Sequence, residues 1–166
     1  VQINDSNYNK YVYVAPTMEV VRAIALTDNV AYPWFAPAGY NRGVVSSMVQ
    51  KADIKLNQTD RDTLYQDRIN PIATFVQQGV VIFGQKTMQV RQSALDRVNV
   101  RRLLLQVRRL IAAASQTLLF EQNDATVRDQ FLQKVEPILL QIQNQRGLTA
   151  FRVVLDSSPG ADPNTL

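Results

Sequence analysis

Apolar residues recur along this chain in two rhythms, and their alternation predicts strands and helices following one another. A polar lead rich in Asn, Asp and Ser gives way to Tyr11-Val12-Tyr13-Val14, an aromatic and apolar run suited to a strand or an entering linker. Pro16 and Thr17 open a helical stretch to about Thr27, with Val20, Val21, Ile24 and Ala25 on one stripe, and Asp28-Asn29 end it. Residues 32–43 have no period. They hold two prolines, two glycines and four aromatics, the composition of a loop with anchors.

Residues 44–49 read as a strand. Thr59 with Asp62 reads as a capping-box variant opening a short helix that carries Leu64, Tyr65 and Ile69, and Asn70-Pro71 stops it. Two β-rich runs, 72–76 and 80–83, flank Gln77-Gln78-Gly79 and predict a hairpin or adjacent strands.

The second half of the chain turns helical. Asn99 is placed to cap a helix running to about Leu118, in which Leu103, Val107, Leu110, Ala114 and Leu118 fall within about 80° of the wheel. Arg101, Arg102, Arg108 and Arg109 fall opposite. A further helix starts at Asp124, with Val127, Phe131, Val135, Ile138 and Ile142 as its apolar face and Gly147 at the position after its end. Pro137 is expected to kink or divide it. Residues 149–155 predict a last strand ending at Asp156, before a Ser/Pro/Gly/Asp tail. The expected fold is α/β: a single domain with a mixed central sheet flanked by helices, spanning 16–156 between an entering strand or linker at 1–15 and the tail at 157–166.

Composition narrows the chemistry. With 166 residues the chain can bury roughly 70% of the surface of its unfolded form. Apolar residues make up 46% and charged residues 19%, which argues against disorder. Histidine and cysteine are both absent, removing the commonest general base, the commonest metal ligands, thiol nucleophiles and disulfides. The net charge of +4 is carried by 13 arginines and five lysines against 14 acids, and arginine favours planar contacts with carboxylates and phosphates. No apolar run approaches the length that spans a bilayer.

Each motif has a structural reading beside a chemical one. Gly79 to Gly84 followed by Gln85-Lys86-Thr87 approximates a phosphate-binding loop, with one residue too many before the lysine. The β-branched run inside it wants extended pairing, so a strand is the stronger reading. The four arginines opposite the apolar stripe are either a nucleic-acid stripe or a solvated or protein-facing surface. No helix-turn-helix, RNA-binding aromatic motif or lysine-rich arm accompanies them, which favours an acidic protein partner. Asp60 and Asp62, with Asp67 beyond, are spaced as early-turn acids that suit the helix dipole rather than as a shared carboxylate site. Ser46, Ser47 and Ser93 lack a histidine and a nucleophile elbow. Trp34 and Phe35 between prolines are core anchors or, if exposed, an interface.

Six ordered blocks carry a resemblance: WFAPAGYNRG at 34–43, LYQDRINPI at 64–72, GVVIFGQKTM at 79–88, DRVNVRRLL at 96–104, LLFEQND at 118–124 and FRVVLD at 151–156. In order and spacing they resemble the carboxy-terminal domain of the tail sheath proteins of contractile-tailed phages, from about Thr27 onward. The resemblance implies helices around a mixed sheet, stacked hexameric rings around a tail tube, and a contraction that drives the tube through the host envelope. It implies no catalytic residue, cofactor or metal, and no direct contact with nucleic acid or membrane. The partners it implies are other sheath subunits and the tail tube protein, in a virion tail assembled in the host cytoplasm. Terminal arms of such sheaths add strands to neighbouring subunits. The variable outer domains expected upstream and the linking arm expected beyond Leu166 are missing from this sequence, so the fragment alone is expected to favour a monomer.

Two surfaces are candidates for interfaces. Arg101, Arg102, Arg108 and Arg109 form a one-sided cationic face for acidic residues of a tube or neighbouring subunit. Trp34, Pro37, Gly39, Arg42 and Gly43 suit a rigid interdomain or intersubunit corner, proline and aromatics limiting mobility while glycine permits close approach. Two other readings remain beside the phage sheath: a sheath component of a related bacteriocin or secretion machine, and a nucleotide-dependent enzyme using Lys86 and Thr87.

Overall fold

Strand β5 (Gly79–Ile82) is the most deeply set element of the computed structural model, which describes residues 1–155; Val80, Val81 and Ile82 are all buried. Burial on both faces explains why this run is continuously apolar instead of alternating. β5 pairs antiparallel with β4 (Ile72–Phe75), Phe75 opposite Gly79, so the turn is Val76–Gln78 and Gly79 already belongs to the strand. Gln77 and Gly79 take φ of +67° and +73° to close it.

A second sheet has the order β2-β1-β3, built from β1 (Gln2–Asp5), β2 (Lys10–Tyr13) and β3 (Val49–Lys51), again antiparallel throughout. The helix–strand class is as expected, but the one mixed sheet is two small antiparallel ones. The strand expected over 44–49 is also reduced. Val44 makes an isolated bridge to Val81, the Val45 N–H donates to the Val80 carbonyl at 3.0 Å, and regular pairing starts only at Val49. Helix α1 (Thr17–Val30) sends Ala23 into the core with Val45, Val49, Val80 and Ile82. Helix α2 (Gln58–Gln66) is capped by Asn57, not Thr59: Asn57 and Asp60 exchange side-chain-to-backbone bonds of 2.9 and 3.0 Å in a full capping box. These elements belong to one compact unit, Val1–Arg102.

In the second unit, Leu103–Leu166, the regular elements among the described residues are helices. Helix α3 (Val98–Ser115) crosses the boundary, and Asn99 lies inside its first turn instead of capping it. Helix α4 (Ala125–Asn144) buries Val135, Leu139 and Ile142 and begins at Asp124, whose carboxylate accepts the Val127 N–H at 2.8 Å. Pro137 sits inside α4 without dividing it. The helix ends in a Schellman arrangement: Gly147 N–H to Ile142 O at 2.8 Å and Arg146 N–H to Gln143 O at 2.9 Å. Arg146, with φ of +62°, therefore takes the left-handed position expected of Gly147, one residue earlier. Residues 149–155 form no strand, and Asp156 with the tail at 157–166 lies outside the described residues.

Candidate assembly site

The 34–43 segment is fastened to β5 through backbone. The Gly39 N–H donates to the Ile82 carbonyl at 2.9 Å, the Gly43 N–H to the Gly39 carbonyl at 2.8 Å, and the Ile82 N–H to the Gly43 carbonyl at 2.8 Å. A Cβ on Gly43 would stand 2.6 Å from both the Gly39 nitrogen and the Ile82 oxygen and 2.7 Å from the Ala38 Cα, so only glycine lets these strands of backbone approach. Gly39 takes φ of +80°, the left-handed region, with open space around it.

Side chains complete the corner. Trp34 is buried and stacks on Tyr32 at 5.0 Å between ring centroids, 9° from parallel. Arg42 donates through Nε to the Ala36 carbonyl at 2.9 Å and sets its guanidinium 5.2 Å from the Phe35 ring centroid. Pro37 and Gly43 are buried, and Asn99 of α3 donates to the Trp34 carbonyl at 3.5 Å. Of the five residues expected at a corner, Trp34, Pro37 and Gly43 are thus buried, Gly39 is tied to β5 through its backbone, and Arg42 is bonded within the segment.

A charged cluster that sequence reasoning missed lies in the same unit. Asp96 is buried and pairs with Arg97 at 3.2 Å, while Arg68 approaches it at 3.9 Å. Tyr65 links the cluster to the strands: the Arg97 guanidinium bonds its hydroxyl and lies 5.4 Å from its ring centroid. The Lys86 ammonium lies 4.1 Å from the same ring centroid and donates to the Tyr65 carbonyl at 2.7 Å. The Asn70 side chain pairs with the Lys86 backbone as a neighbouring strand would, its oxygen accepting the Lys86 N–H at 2.7 Å and its amide donating to the Lys86 carbonyl at 2.9 Å. The signal was present in the blocks at 64–72, 79–88 and 96–104, which supply every member.

Lys86, the lysine of the imperfect phosphate-loop motif, is therefore committed to a carbonyl and an aromatic face, and the residues before it are paired as β5. Asp60 is held in the α2 cap. Among the described residues no group of three or more acids is placed to hold a metal ion.

The arginine face divides. Arg102 grips Asp28 of α1 through both carboxylate oxygens, at 2.5 and 2.6 Å, with 18% of its side chain exposed. Asp28 stands in the last turn of α1, where the helix dipole disfavours an acid, and Arg102 offsets that cost. Arg101, Arg108 and Arg109 are exposed on α3.

Comparison with known proteins shows what the chain is similar to. The chain is 40% identical over 145 residues to the tail sheath protein of Vibrio phage KVP40, covering 86% of this chain and 22% of that protein. Against the tail sheath protein of enterobacteria phage T4 it is 36% identical over 153 residues, covering 92% and 23%.

The chain is homologous to phage tail sheath proteins.

It spans less than a quarter of the length of these tail sheath relatives. No protein-family model matches it. Its fold is that of a solved sheath complex from an extracellular contractile injection system in the contracted state, with a TM-score of 0.75 at 22% identity, covering 86% of this chain and 39% of that one. Tail sheath homology extends across all the blocks that build the corner and the Tyr65 cluster.

Proposed function

We propose that residues 16–156 serve as a carboxy-terminal-type domain of a contractile phage tail sheath, a structural element without catalytic chemistry. Subunits polymerise around a tail tube, and the extended lattice relaxes to a shorter, wider one that drives the tube through the host envelope. The observation that carries this reading is the 40% identity to a tail sheath protein along 86% of the chain. The corner and the Tyr65 cluster support it, because a subunit that moves as a rigid body through contraction needs loops pinned to its strands. The exposed edge of β2, whose four residues all face solvent, suits strand addition by a neighbouring subunit.

In this proposal Arg101, Arg108 and Arg109 meet acidic residues on the tube or an adjacent subunit. Arg102 contributes by fixing the start of α3 to α1. The corner of Trp34, Pro37, Gly39, Arg42 and Gly43 keeps a fixed shape next to an intersubunit boundary. Assembly takes place in the host cytoplasm and the product resides in the virion tail. Electron microscopy of the protein at its full natural length, mixed with tube, tests the whole reading: tubular polymers are expected, and persistent monomers beside tube would overturn it.

A second reading is a sheath component of an extracellular contractile injector, favoured by the likeness to such a sheath in its contracted state. Neighbouring genes decide between the two. Capsid and terminase genes mark a phage, and their absence beside toxin genes marks an injector.

A further inference from the structure

The turn ahead of α4 presents an aromatic ring to solvent on a strained backbone. Phe120 is fully exposed, its φ is +69°, and Leu119 beside it is exposed as well. A bulky residue in the left-handed region meets a backbone clash that glycine avoids. The turn is nonetheless held in place. The Glu121 N–H donates to the Leu118 carbonyl at 3.3 Å, Asp124 caps α4, and Arg128 donates through Nε to the Asn123 side-chain oxygen at 2.9 Å. These bonds hold the backbone of the turn, but the Phe120 ring it presents hides no apolar surface, and strained, exposed features of this kind gather where a partner completes the contact.

The first unit holds a matching hollow of about 510 Å³. Tyr40, Phe75 and Phe83 line it, their ring centroids 4.9, 5.3 and 5.7 Å apart, and both Tyr40 and Phe83 are exposed. These rings stand tilted or edge-on to one another, and the exposed Tyr40 and Phe83 offer surface to a fourth aromatic. Arg61 donates through Nη1 to the Leu56 carbonyl at 3.1 Å and places its guanidinium 4.9 Å from the Phe75 centroid, which holds the cation at the rim with its other N–H groups left for an acid; Gln58 and Asp62 complete the rim.

We propose that Phe120 of one copy inserts into the Tyr40, Phe75 and Phe83 hollow of a second copy, with Glu121 meeting Arg61. The charges fix the orientation. Phe120 is followed by Glu121, whose side chain points from an exposed residue, whereas Asp124 is occupied by its cap. Asp62 repels a second acid, so the insertion brings Glu121 to the Arg61 side of the rim. Knob and hollow are different surfaces of the same chain, so the contact is head-to-tail and propagates as an open polymer instead of closing as a dimer. This inference rests on the reading that the chain builds a self-assembling sheath.

The test uses the protein at its full natural length, assembled with tube, carrying Phe120→Cys together with Gln58→Cys. The chain contributes no cysteine of its own. Oxidation of the polymer is expected to give a ladder of covalent multimers, and neither single variant is expected to give one. Polymers that form without the ladder, or Phe120→Cys joined to tube protein instead, overturn the pairing and leave the sheath reading standing. Failure of the unsubstituted protein to polymerise overturns the sheath reading itself. Phe120→Asp supplies an independent arm: the melting temperature of the monomer stays unchanged while polymer yield falls at least tenfold. An unchanged yield overturns the proposal.

Discussion

Two irregular segments of this chain use the same ingredients to opposite ends. The 34–43 corner and the 119–121 turn each combine aromatic rings with a residue at positive φ, +80° at Gly39 and +69° at Phe120. In the corner the left-handed position is a glycine and Trp34 is buried, while Arg42 donates through Nε to a local carbonyl and lies over a ring. In the turn the left-handed position is itself the aromatic residue, and its ring is fully exposed. The corner is thus closed within the fold, whereas the turn has its apolar ring still to place. An irregular loop is informative about partners when its strain is not offset by contacts inside the chain.

Breaking the corner should produce the largest effect. Gly43→Ala drives a Cβ to 2.6 Å from two backbone atoms, neither of which is the movable end of a side chain. Because β5 is buried on both faces, the clash has to shift the strand, and a loss of about 3 kcal/mol is expected in chemical denaturation. Wild-type stability in this variant would show that the corner is softer than its hydrogen bonds suggest. Next in size is Asp96→Asn, which leaves Arg68 and Arg97 beside a neutral side chain. Both arginines are partly exposed, at 20% and 39% of the side chain, so water moderates the cost, and a loss of about 2 kcal/mol is expected by the same measurement.

A paired substitution tests the comparison directly. Gly39→Ala meets no atom within 4 Å, so its cost is conformational alone, about 1 kcal/mol. Phe120→Gly relieves the same kind of strain and removes no buried surface, and a gain of about 0.5 kcal/mol is expected once the added freedom of the unfolded chain is subtracted. Opposite signs in thermal denaturation uphold the contrast. A loss at both positions would mean that Phe120 has contacts within the fold after all.

Legibility in the sequence followed the range of the interactions. The β4–β5 hairpin, the presence of a helix at α1, and the apolar faces of α3 and α4 were readable because period and capping are local; the stripe expected on α1 was misplaced, since Val20, Val21 and Ala25 are exposed, the helix buries Ala23 and Thr27, and it runs on past Asp28-Asn29 to Val30. β1 was missed because Gln2-Ile3-Asn4-Asp5 has no β-rich composition; it is a strand through pairing with β2 on one side and β3 on the other. Residues 149–155 have the composition but form no strand, since an apolar run needs a partner that the sequence does not name. That residues 32–43 form an irregular loop with a buried anchor, Trp34, was readable from their prolines, glycines and aromatics. The Tyr65 cluster was not, because Lys86 and Arg97 lie 21 and 32 residues beyond the tyrosine they share. Arg102 looked equivalent to its neighbours on the helical wheel, and only Asp28, 74 residues away, sets it apart.

That difference among the arginines gives the smallest expected effect on the fold. Arg108 and Arg109 are exposed on α3, and no hydrogen bond or ion pair to either is among those described, so Arg108→Glu with Arg109→Glu should leave stability within about 0.5 kcal/mol of wild type. Assembly is where the substitution should be felt. If these side chains meet acids on the tube or a neighbour, reversing both charges turns attraction into repulsion, and sedimentable polymer formed on tube should fall sharply at low salt. Added salt should narrow the gap between variant and wild type, because exposed charges are screened within about 10 Å at 0.1 M ionic strength. Arg102→Glu gives the contrasting pattern, since it destroys the contact with Asp28 and lowers the stability of the subunit before assembly begins. Equal polymer yields for wild type and the Arg108, Arg109 variant would remove these two residues from the interface and leave Arg101 as the only exposed arginine of that face in contention.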